Sequence, residues 1–253
     1  MTQKVITGFA TLLIAVAAIA QTNESQVVGF VTMATKGTAM DIFGVSFQNI
    51  GDTDINIQDI QPGTGYGDGT DLLRVWNPLT GTYVYAYYWD DTVDENEISC
   101  GPGWGDAGGI RLDIPIAAGQ GYWLETAADA SAAVAGEVLP IEDNKVSTVA
   151  TKMDLLCNTF PAAINIQDVT PVSGIKDWGV DLLRLWDPDT ETYVSAYYCS
   201  NTYDSTWTTD YGEGWADCFW IRLDVPIAVG QGFWLTTDAN SVVSFPVPLA
   251  LQE

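Results

Sequence analysis

Residues 71–88 read DLLRVWNPLTGTYVYAYY, and residues 181–198 read DLLRLWDPDTETYVSAYY. The sequence around this stretch is also repeated, in the same order. INIQDI at 55–60 matches INIQDV at 164–169, and IRLDIPIAAGQGYWL at 110–124 matches IRLDVPIAVGQGFWL at 221–235. A repeat of about 105 residues is long enough to bury its own hydrophobic core, so the pattern predicts two similar domains.

Each repeat is a series of short segments rich in β-branched and aromatic residues, separated by turn residues. In the first repeat these are QVVGFVTMAT (26–35), MDIFGVSFQNI (40–50), LLRVW (72–76), TYVYAYYW (82–89), GIRLDIPI (109–116) and GYWLET (121–126). Strands at this spacing predict an all-β chain with two tandem homologous domains, each resembling a β-sandwich or a barrel. Alternation along 82–89 places Tyr83, Tyr85 and Tyr87 on one face. A helical turn or two is predicted only near 127–135.

Composition sets the predicted boundaries. Residues 1–20 form a leader, residues 21–140 a first β-repeat domain and residues 141–253 a second, with the charged, proline-containing stretch EVLPIEDNKVS at their junction. The leader carries Lys4 ahead of an apolar run that ends in A-I-A, which is typical of a cleaved secretory signal peptide. We therefore expect a secreted or cell-surface protein whose mature form has no membrane span.

A pilin-type leader, cut between Gly8 and Phe9, is the alternative interpretation of the first residues. Such a leader would have a Glu where Leu13 stands and a much longer apolar helix after the cut. The apolar run here is also too short to span a membrane comfortably. The signal-peptide interpretation is therefore favoured.

The chain is strongly acidic. It has nine Lys and Arg against 33 Asp and Glu, and a formal net charge of −24. Binding to phosphate groups requires clustered cations, so nucleic acid and anionic membranes are not expected partners. Calcium is the one candidate cofactor, and the alternative is that these acidic residues form an ordinary solvated loop. The candidate ligands are Asp90, Asp91, Asp94, Glu95 and Glu97, and the second repeat lacks them.

Four of the basic residues stand at repeated positions: Arg74, Arg184, Arg111 and Arg222. Each lies near a repeated acid, in the motifs D-L-L-R and R-L-D. Because residues i and i+2 of a strand share a face, the R-L-D pairs can meet directly. We predict that all four arginines are structural ion-pair partners.

The chain has four cysteines and no histidine, so the usual zinc-ligand spacings are absent. With an export signal, disulfides are the natural prediction. Cys199 and Cys218 lie in one repeat and are both missing from the other, which favours a bridge between them. Cys100 and Cys157 would remain and could link the two domains, and the sequence leaves the connectivity open.

The absence of histidine excludes Ser-His-Asp and Cys-His catalytic arrangements. Two carboxylates would suffice for glycoside hydrolysis, but with 33 acidic residues no pair is distinguished. A G-x-G-x-x-G string at 103–108 leads into a strand instead of a helix, so it does not predict a nucleotide site. We expect a protein that is not an enzyme.

Ten tryptophans are the remaining clue. Six are repeated and are assigned to core or strand packing: Trp76, Trp104, Trp123, Trp186, Trp215 and Trp234. Aromatic residues present in only one copy are candidates for stacking on a sugar or for anchoring a protein interface. These are Trp89, Trp178, Trp207, Trp220, Tyr203 and Tyr211, most of them in the second domain.

The motif W-(N/D)-P-x-T-x-T-Y-V, followed by I-P-I-x-x-G-Q-G-(Y/F)-W, resembles secreted β-repeat proteins of environmental bacteria. Those proteins also open with a signal peptide and a V-G-(Y/F) strand, as at Val28-Gly29-Phe30. The likeness covers nearly all of the chain after the leader. It implies a β fold and an extracellular location, and it supplies no catalytic residue.

These observations predict a secreted, non-enzymatic structural protein that assembles into a homo-oligomer or polymer, as an extracellular filament, surface layer or matrix. Strand-like segments at both ends could complete a neighbour's sheet or could pair within their own domains. Their key residues are Val27, Val28, Phe30, Val31, Val242, Val243, Phe245 and Val247. The alternative function is a carbohydrate-binding module or adhesin that uses the aromatic residues of the second domain, with a glycan as its partner.

Overall fold

A computed structural model describes residues 28–49, 53–62, 68–140, 144–170 and 181–247. The regular secondary structure of the described residues consists of antiparallel strands, apart from 3-10 turns at Ile57–Asp59 and Ile166–Asp168. The predicted all-β fold is confirmed. The predicted leader, Val27 and Trp178 lie outside the described residues. Among the helical segments of the described chain, none is long and apolar enough to cross a membrane.

The first domain is a β-sandwich. One sheet has the order β2-β10-β6-β7-β8, and the other has the order β1-β11-β3 with β5 also paired to β11. Leu73 and Leu124 of the first sheet share a buried core with Val31 and Val134 of the second. The strands are β1 (Val28–Thr35), β2 (Met40–Gly44), β3 (Phe47–Gln48), β4 (Ile55–Asn56), β5 (Gln61–Pro62), β6 (Asp68–Asn77), β7 (Thr82–Val93), β8 (Ser99–Gly105), β9 (Pro115–Ile116), β10 (Gly121–Glu125) and β11 (Ala130–Val138).

The second domain repeats this architecture. Its five-stranded sheet has the order β13-β19-β15-β16-β17, and β12 pairs with β20 as β1 pairs with β11. Leu183, Phe233 and Val243 are buried in its core. The strands are β12 (Lys145–Thr148), β13 (Met153–Cys157), β14 (Ile164–Asn165), β15 (Leu182–Asp187), β16 (Thr192–Tyr203), β17 (Asp210–Ala216), β18 (Pro226–Ile227), β19 (Gly232–Thr236) and β20 (Ser241–Ser244).

The prediction of a helical stretch near 127–135 is wrong, because β11 occupies it. Alanine favours a helix by its intrinsic propensity, but here alternate residues face the core. Ala132 and Val134 are buried and pair with Met33 and Val31 across the ladder to β1. Tertiary packing therefore overrides the local preference.

The repeated INIQD motif is a clamp on a buried tryptophan. Asn56 and Asp59 form a capping box around the 3-10 turn. The side-chain amide of Gln58 donates to the carbonyls of Trp104 (2.7 Å) and Leu112 (2.5 Å). The Trp104 indole N–H in turn donates to the carbonyl of Ile60 at 2.7 Å. In the second domain, the indole of the equally buried Trp215 donates to Val169 at 2.8 Å.

Four of the six repeated tryptophans pack between the domains, which the sequence analysis did not predict. The Trp76 indole donates to the carbonyl of Met153 at 2.5 Å, and the Trp186 indole donates to that of Met40 at 2.6 Å. The ring contacts are reciprocal as well. Trp76 of the first domain packs edge-on against Trp234 of the second, and Trp123 of the first packs edge-on against Trp186 of the second. The domains are therefore related by a pseudo-twofold axis, as in an isologous dimer interface.

The repeated G-Q-G turns also serve this interface. Gly44 N donates to Gly230 O at 2.9 Å, and Cys157 N donates to Gly119 O at 2.8 Å. Both Gly119 and Gly230 have positive φ, and a Cβ on either would collide with side chains of the opposite domain. Glycine is required at these two positions because backbone of one domain approaches side chains of the other.

The ion-pair prediction is confirmed for both R-L-D arginines. Of the D-L-L-R arginines, Arg74 is in an ion pair, but with an acid outside its motif, and Arg184 has none among the described residues. Arg111 Nε lies 3.5 Å from Asp113 Oδ1, and Arg222 Nε lies 3.4 Å from Asp224 Oδ1. Arg74 instead pairs across strands with Glu125, at 3.0 Å. The buried acids of D-L-L-R accept backbone N–H groups: Asp71 accepts from Ala127 and Asp181 from Asp238.

The predicted disulfides are absent, and all four cysteines are free thiols. Cys157 is fully buried at the domain interface, whereas Cys100 is exposed on β8, so their thiols do not face each other. Cys199 is buried and directs its Sγ toward the Tyr197 carbonyl. Cys218 is exposed in the turn that follows β17.

The end segments pair within their own domains. β1 pairs with β11 along its whole length, from Val28 to Thr35, and β20 pairs with β12. The side chains of Val31, Val243 and Phe245 fill the cores of their own domains. Phe30 and Val242 point outward, and Val247 is half-buried.

Candidate functional site

Five aromatic residues gather at the end of the second domain that carries the β16–β17 hairpin, which we call the domain 2 tip. Three of them, Tyr203, Trp207 and Trp220, line a pocket of about 210 Å³ together with Ser200 and Asn201. The other two, Tyr211 and Phe219, lie on β17 and in the 217–220 turn and are largely exposed. The sequence analysis singled out four of the five and missed Phe219.

The hairpin loop is ordered by Asp204. Its Oδ1 accepts the backbone N–H groups of Thr206 (3.1 Å) and Thr208 (2.9 Å), and its Oδ2 accepts the Thr208 hydroxyl at 2.9 Å. These hydrogen bonds, led by the one from the Thr208 backbone, hold the pKa of Asp204 below its usual range. The loop backbone is thereby fixed, and Trp207 projects from it in a set position.

The second turn is ordered in the same way. Asp217 Oδ1 accepts the backbone N–H groups of Phe219 (2.8 Å) and Ile221 (2.9 Å). Backbone hydrogen bonds then tie this turn to the hairpin, since Tyr203 N donates to Trp220 O at 2.9 Å. The aromatic side chains therefore stand on two turns that support each other.

The rings are arranged as two faces at a right angle. Tyr203 and Trp207 are stacked, with centroids 5.0 Å apart and planes 24° apart. Trp207 and Trp220 meet edge-to-face at 6.1 Å and 85°. Trp207 remains 51% exposed, and the guanidinium of Arg222 lies 5.5 Å from the centroid of the Tyr211 ring. The site thus offers an open ring face beside hydroxyl and amide groups.

Both tryptophans have left-handed backbone conformations, with φ of 59° for Trp207 and 62° for Trp220. This conformation costs a bulky L-residue roughly 1–2 kcal/mol, so it is seldom used without a compensating reason. Strain of this kind concentrates at binding and catalytic sites. In the domain 2 tip, two bulky aromatic residues occupy such positions.

The first domain supplies a matched comparison, with a hairpin loop that is one residue shorter. Val93 N donates to Gly109 O as Tyr203 N donates to Trp220 O, and Glu97 N donates to Asp94 O as Trp207 N donates to Asp204 O. Glu97 and Gly109 have the same left-handed backbone as the two tryptophans. The domain 1 tip therefore has Val93, Glu97, Cys100, Gly108 and Gly109 where the domain 2 tip has aromatic residues.

Trp89, the remaining unrepeated tryptophan among the described residues, has a different role. Its indole donates to the Asp106 carbonyl at 3.1 Å, and its ring lies against Gly69 and Gly109. It covers a turn of the first domain and does not join the domain 2 tip. Cys199 takes the same place in the second domain, which leaves room for the tip pocket.

Two of the five carboxylates proposed for calcium are used by the β7–β8 hairpin. Asp91 Oδ1 accepts Ser99 Oγ (2.6 Å) and Gly101 N (3.0 Å), and Asp94 Oδ1 accepts the N–H groups of Asn96 and Ile98. Asp90, Glu95 and Glu97 are exposed. Within the described ranges, three or more metal-ligating side chains do not converge at any point.

The sequence analysis missed a pair of buried carboxylates at the domain interface. Asp41 and Asp154 occupy equivalent places on β2 and β13, and both are 4% exposed. Burial raises the pKa of Asp154 to about 6 and raises that of Asp41 as well. The shared dipeptide M-D at 40–41 and 153–154 was the available signal.

Comparisons of the chain with protein-family models, with curated proteins and with solved structures give no match.

Proposed function

We propose that this chain is a secreted, non-enzymatic binding protein whose domain 2 tip binds carbohydrate. The observation that carries the proposal is the ring cluster of Tyr203, Trp207 and Trp220, held in a strained backbone that the first domain uses for Glu97 and Gly109. An aromatic face takes the apolar C–H side of a sugar ring, and neighbouring hydroxyl and amide groups take its hydroxyls. Ser200 and Asn201 line the same pocket.

The size of the site favours a sugar over a protein partner. The pocket at the domain 2 tip is small, with a volume of about 210 Å³, and it is walled by aromatic rings. A pocket of this size takes one small ring. The strong negative charge of the chain favours a neutral glycan over a sulfated or phosphorylated one.

A glycan array probed with the full chain tests the proposal. We expect binding to neutral polysaccharides, with affinity lowered at least about tenfold by Trp207→Ala or Trp220→Ala. Glu97→Ala, at the matching place in the first domain, is the control and should leave affinity unchanged. No binding across the array, or equal binding by the two tryptophan variants and the control, would refute the proposal.

Self-assembly is the second candidate function, and it is supported by one observation. β1 is an outer strand of its sheet, and Phe30 on it is 75% exposed. An exposed edge of this kind can pair with another chain. Light scattering with and without millimolar calcium should then show polymers or large oligomers, and Phe30→Lys should reduce them. A uniform monomer in both conditions would exclude assembly.

A further inference from the structure

A second pocket lies at the junction of the two domains, away from the domain 2 tip. It has a volume of about 390 Å³ and is lined by Tyr83, Met153, Arg184, Tyr193, Ser195 and Trp234. We call it the junction pocket. Tyr83 comes from the first domain and the other lining residues come from the second.

Arg184 is the one cation among these lining residues. It lies on β15 between Ser195 of β16 and Trp234 of β19, and its Nη1 is 3.5 Å from the sulfur of Met153. Within the part of the chain that the structure describes, Arg184 makes no ion pair with a carboxylate. Its equivalent in the first domain, Arg74, is paired with Glu125 at 3.0 Å.

Two substitutions between the copies create this difference. Glu125 stands opposite Leu72 on the neighbouring strand, and in the second domain the same place, opposite Leu182, is held by Thr236. The internal counter-ion has therefore been replaced by a neutral side chain. In a chain with a net charge of −24, an arginine kept without its carboxylate is unusual.

The second substitution removes bulk. Tyr85 stands directly opposite Arg74, and its ring centroid lies 6.2 Å from that of Tyr83. Ser195 stands directly opposite Arg184 in the second domain. Loss of a phenol ring leaves space beside the guanidinium. The same pair of changes thus opens the pocket and frees the charge.

The walls of the pocket suit a flat ring. Trp234 is 4% exposed, and its ring lies edge-on to Tyr83 at 6.5 Å. Burial raises the pKa of Tyr193, so its hydroxyl stays protonated and can donate a hydrogen bond. An arginine beside aromatic walls binds a carboxylate through paired N–H donors, in surroundings where charge is less screened than in water.

We propose that the junction pocket binds a small organic acid, with its carboxylate on the Arg184 guanidinium and a flat ring against Tyr193 and Tyr83. In this pocket, the carboxylate of the ligand takes the place of the carboxylate that Glu125 supplies to Arg74 in the first domain. This site is separate from the domain 2 tip, and its test does not depend on carbohydrate binding.

Calorimetric titration of the full chain with benzoate, and with benzamide as a neutral analogue of the same shape, tests the proposal. We expect saturable benzoate binding at one site, at least about tenfold tighter than benzamide binding. Thr236→Glu restores the internal counter-ion, and Ser195→Tyr restores the bulk. Each should lower benzoate affinity about tenfold or more, and each places at its site the residue that the first domain already tolerates.

The reverse change in the first domain completes the test. The double variant Glu125→Thr/Tyr85→Ser should create a second site and raise the benzoate stoichiometry from one to two. Equal affinity for benzoate and benzamide, absence of saturable binding up to about 10 mM, or benzoate binding unchanged by Thr236→Glu and Ser195→Tyr would overturn the proposal.

Discussion

The tips of the two domains differ at the positions that carry aromatic residues in the second domain, whereas the tryptophans that the domains turn toward each other are the same in both copies. Trp76 and Trp186 make reciprocal hydrogen bonds across the pseudo-twofold axis. At the tips, Glu97 and Gly109 correspond to Trp207 and Trp220. In a pseudo-symmetric interface each copy packs against the equivalent surface of the other, so both copies are constrained alike. The tips carry no such constraint, and a binding function can develop in one of them.

The largest expected effects concern residues that the copies share. Trp104→Ala and Trp215→Ala should each lower the free energy of unfolding of their domain by about 3–5 kcal/mol, because each removes a fully buried ring and its indole hydrogen bond. Urea unfolding of the two variants measures the loss. The two losses should agree within about 1 kcal/mol, and a larger difference would show that the domains are not equivalent inside.

The next effect depends on pH. The pKa of Asp154 is about 6 in the folded protein and about 3.9 in an unfolded chain, so between these values the folded state holds more protons. Stability from this group is therefore present below about pH 4 and falls by up to about 3 kcal/mol as pH rises through 6.

Comparing the pH dependence of unfolding of Asp154→Asn with that of the wild type isolates this contribution. The variant should lose less stability between about pH 4 and about pH 7. Asp41→Asn, at the equivalent place in the first domain, should change the profile in the same direction. Parallel profiles for Asp154→Asn and wild type would show that the carboxyl does not titrate in this window.

A smaller effect tests backbone strain at the domain 1 tip. Glu97 is exposed and has a φ of 63°, so Glu97→Gly should raise the free energy of unfolding by about 1 kcal/mol. The same substitution at Trp207 should abolish glycan binding, whatever its effect on stability. Denaturant titration measures the cost of backbone strain at Glu97, and the glycan assay shows whether the strained residue Trp207 contributes to binding. Destabilisation by Glu97→Gly would argue against strain at this position.

The smallest effects are expected at the R-L-D ion pairs. The carboxylates of both pairs are about two-thirds exposed, so Arg111→Gln and Arg222→Gln should each cost at most about 0.5 kcal/mol of stability. Arg222 also lies over the Tyr211 ring. Arg222→Gln should therefore weaken glycan binding, whereas Arg111→Gln should leave it unchanged. Equal binding by the two variants would place Tyr211 outside the site.

The sequence predicted the β fold because repetition and alternation are local properties. Along β7, Ala86 is buried and Tyr88 packs on the core, while Tyr83 faces the other domain, as the alternation required. The domain interface was not predictable in this way. Trp76 and Trp104 are both repeated tryptophans in β-strands, and only the arrangement in space separates the one between domains from the one inside a core.

The candidate site was predicted in part, because the comparison of the copies identified aromatic residues present only once. It could not separate Trp89, which covers a turn, from Trp207, which is half exposed. The left-handed backbone of Trp220 has a trace in the sequence, since Gly109 stands at the matching place. No single residue in the sequence signals the junction pocket. The pocket depends on Ser195 and Thr236, which are far apart in the sequence and both lie near Arg184 in the sheet.

The central claim is that the unshared residues of the domain 2 tip bind the ligand and the shared residues build the scaffold. The most direct measurement is the glycan affinity of the double variant Trp207→Glu/Trp220→Gly, which places at these two positions the residues of the domain 1 tip. We predict a loss of affinity of at least about tenfold, with the circular dichroism spectrum of the wild type retained. Unchanged affinity in a folded variant would contradict the claim.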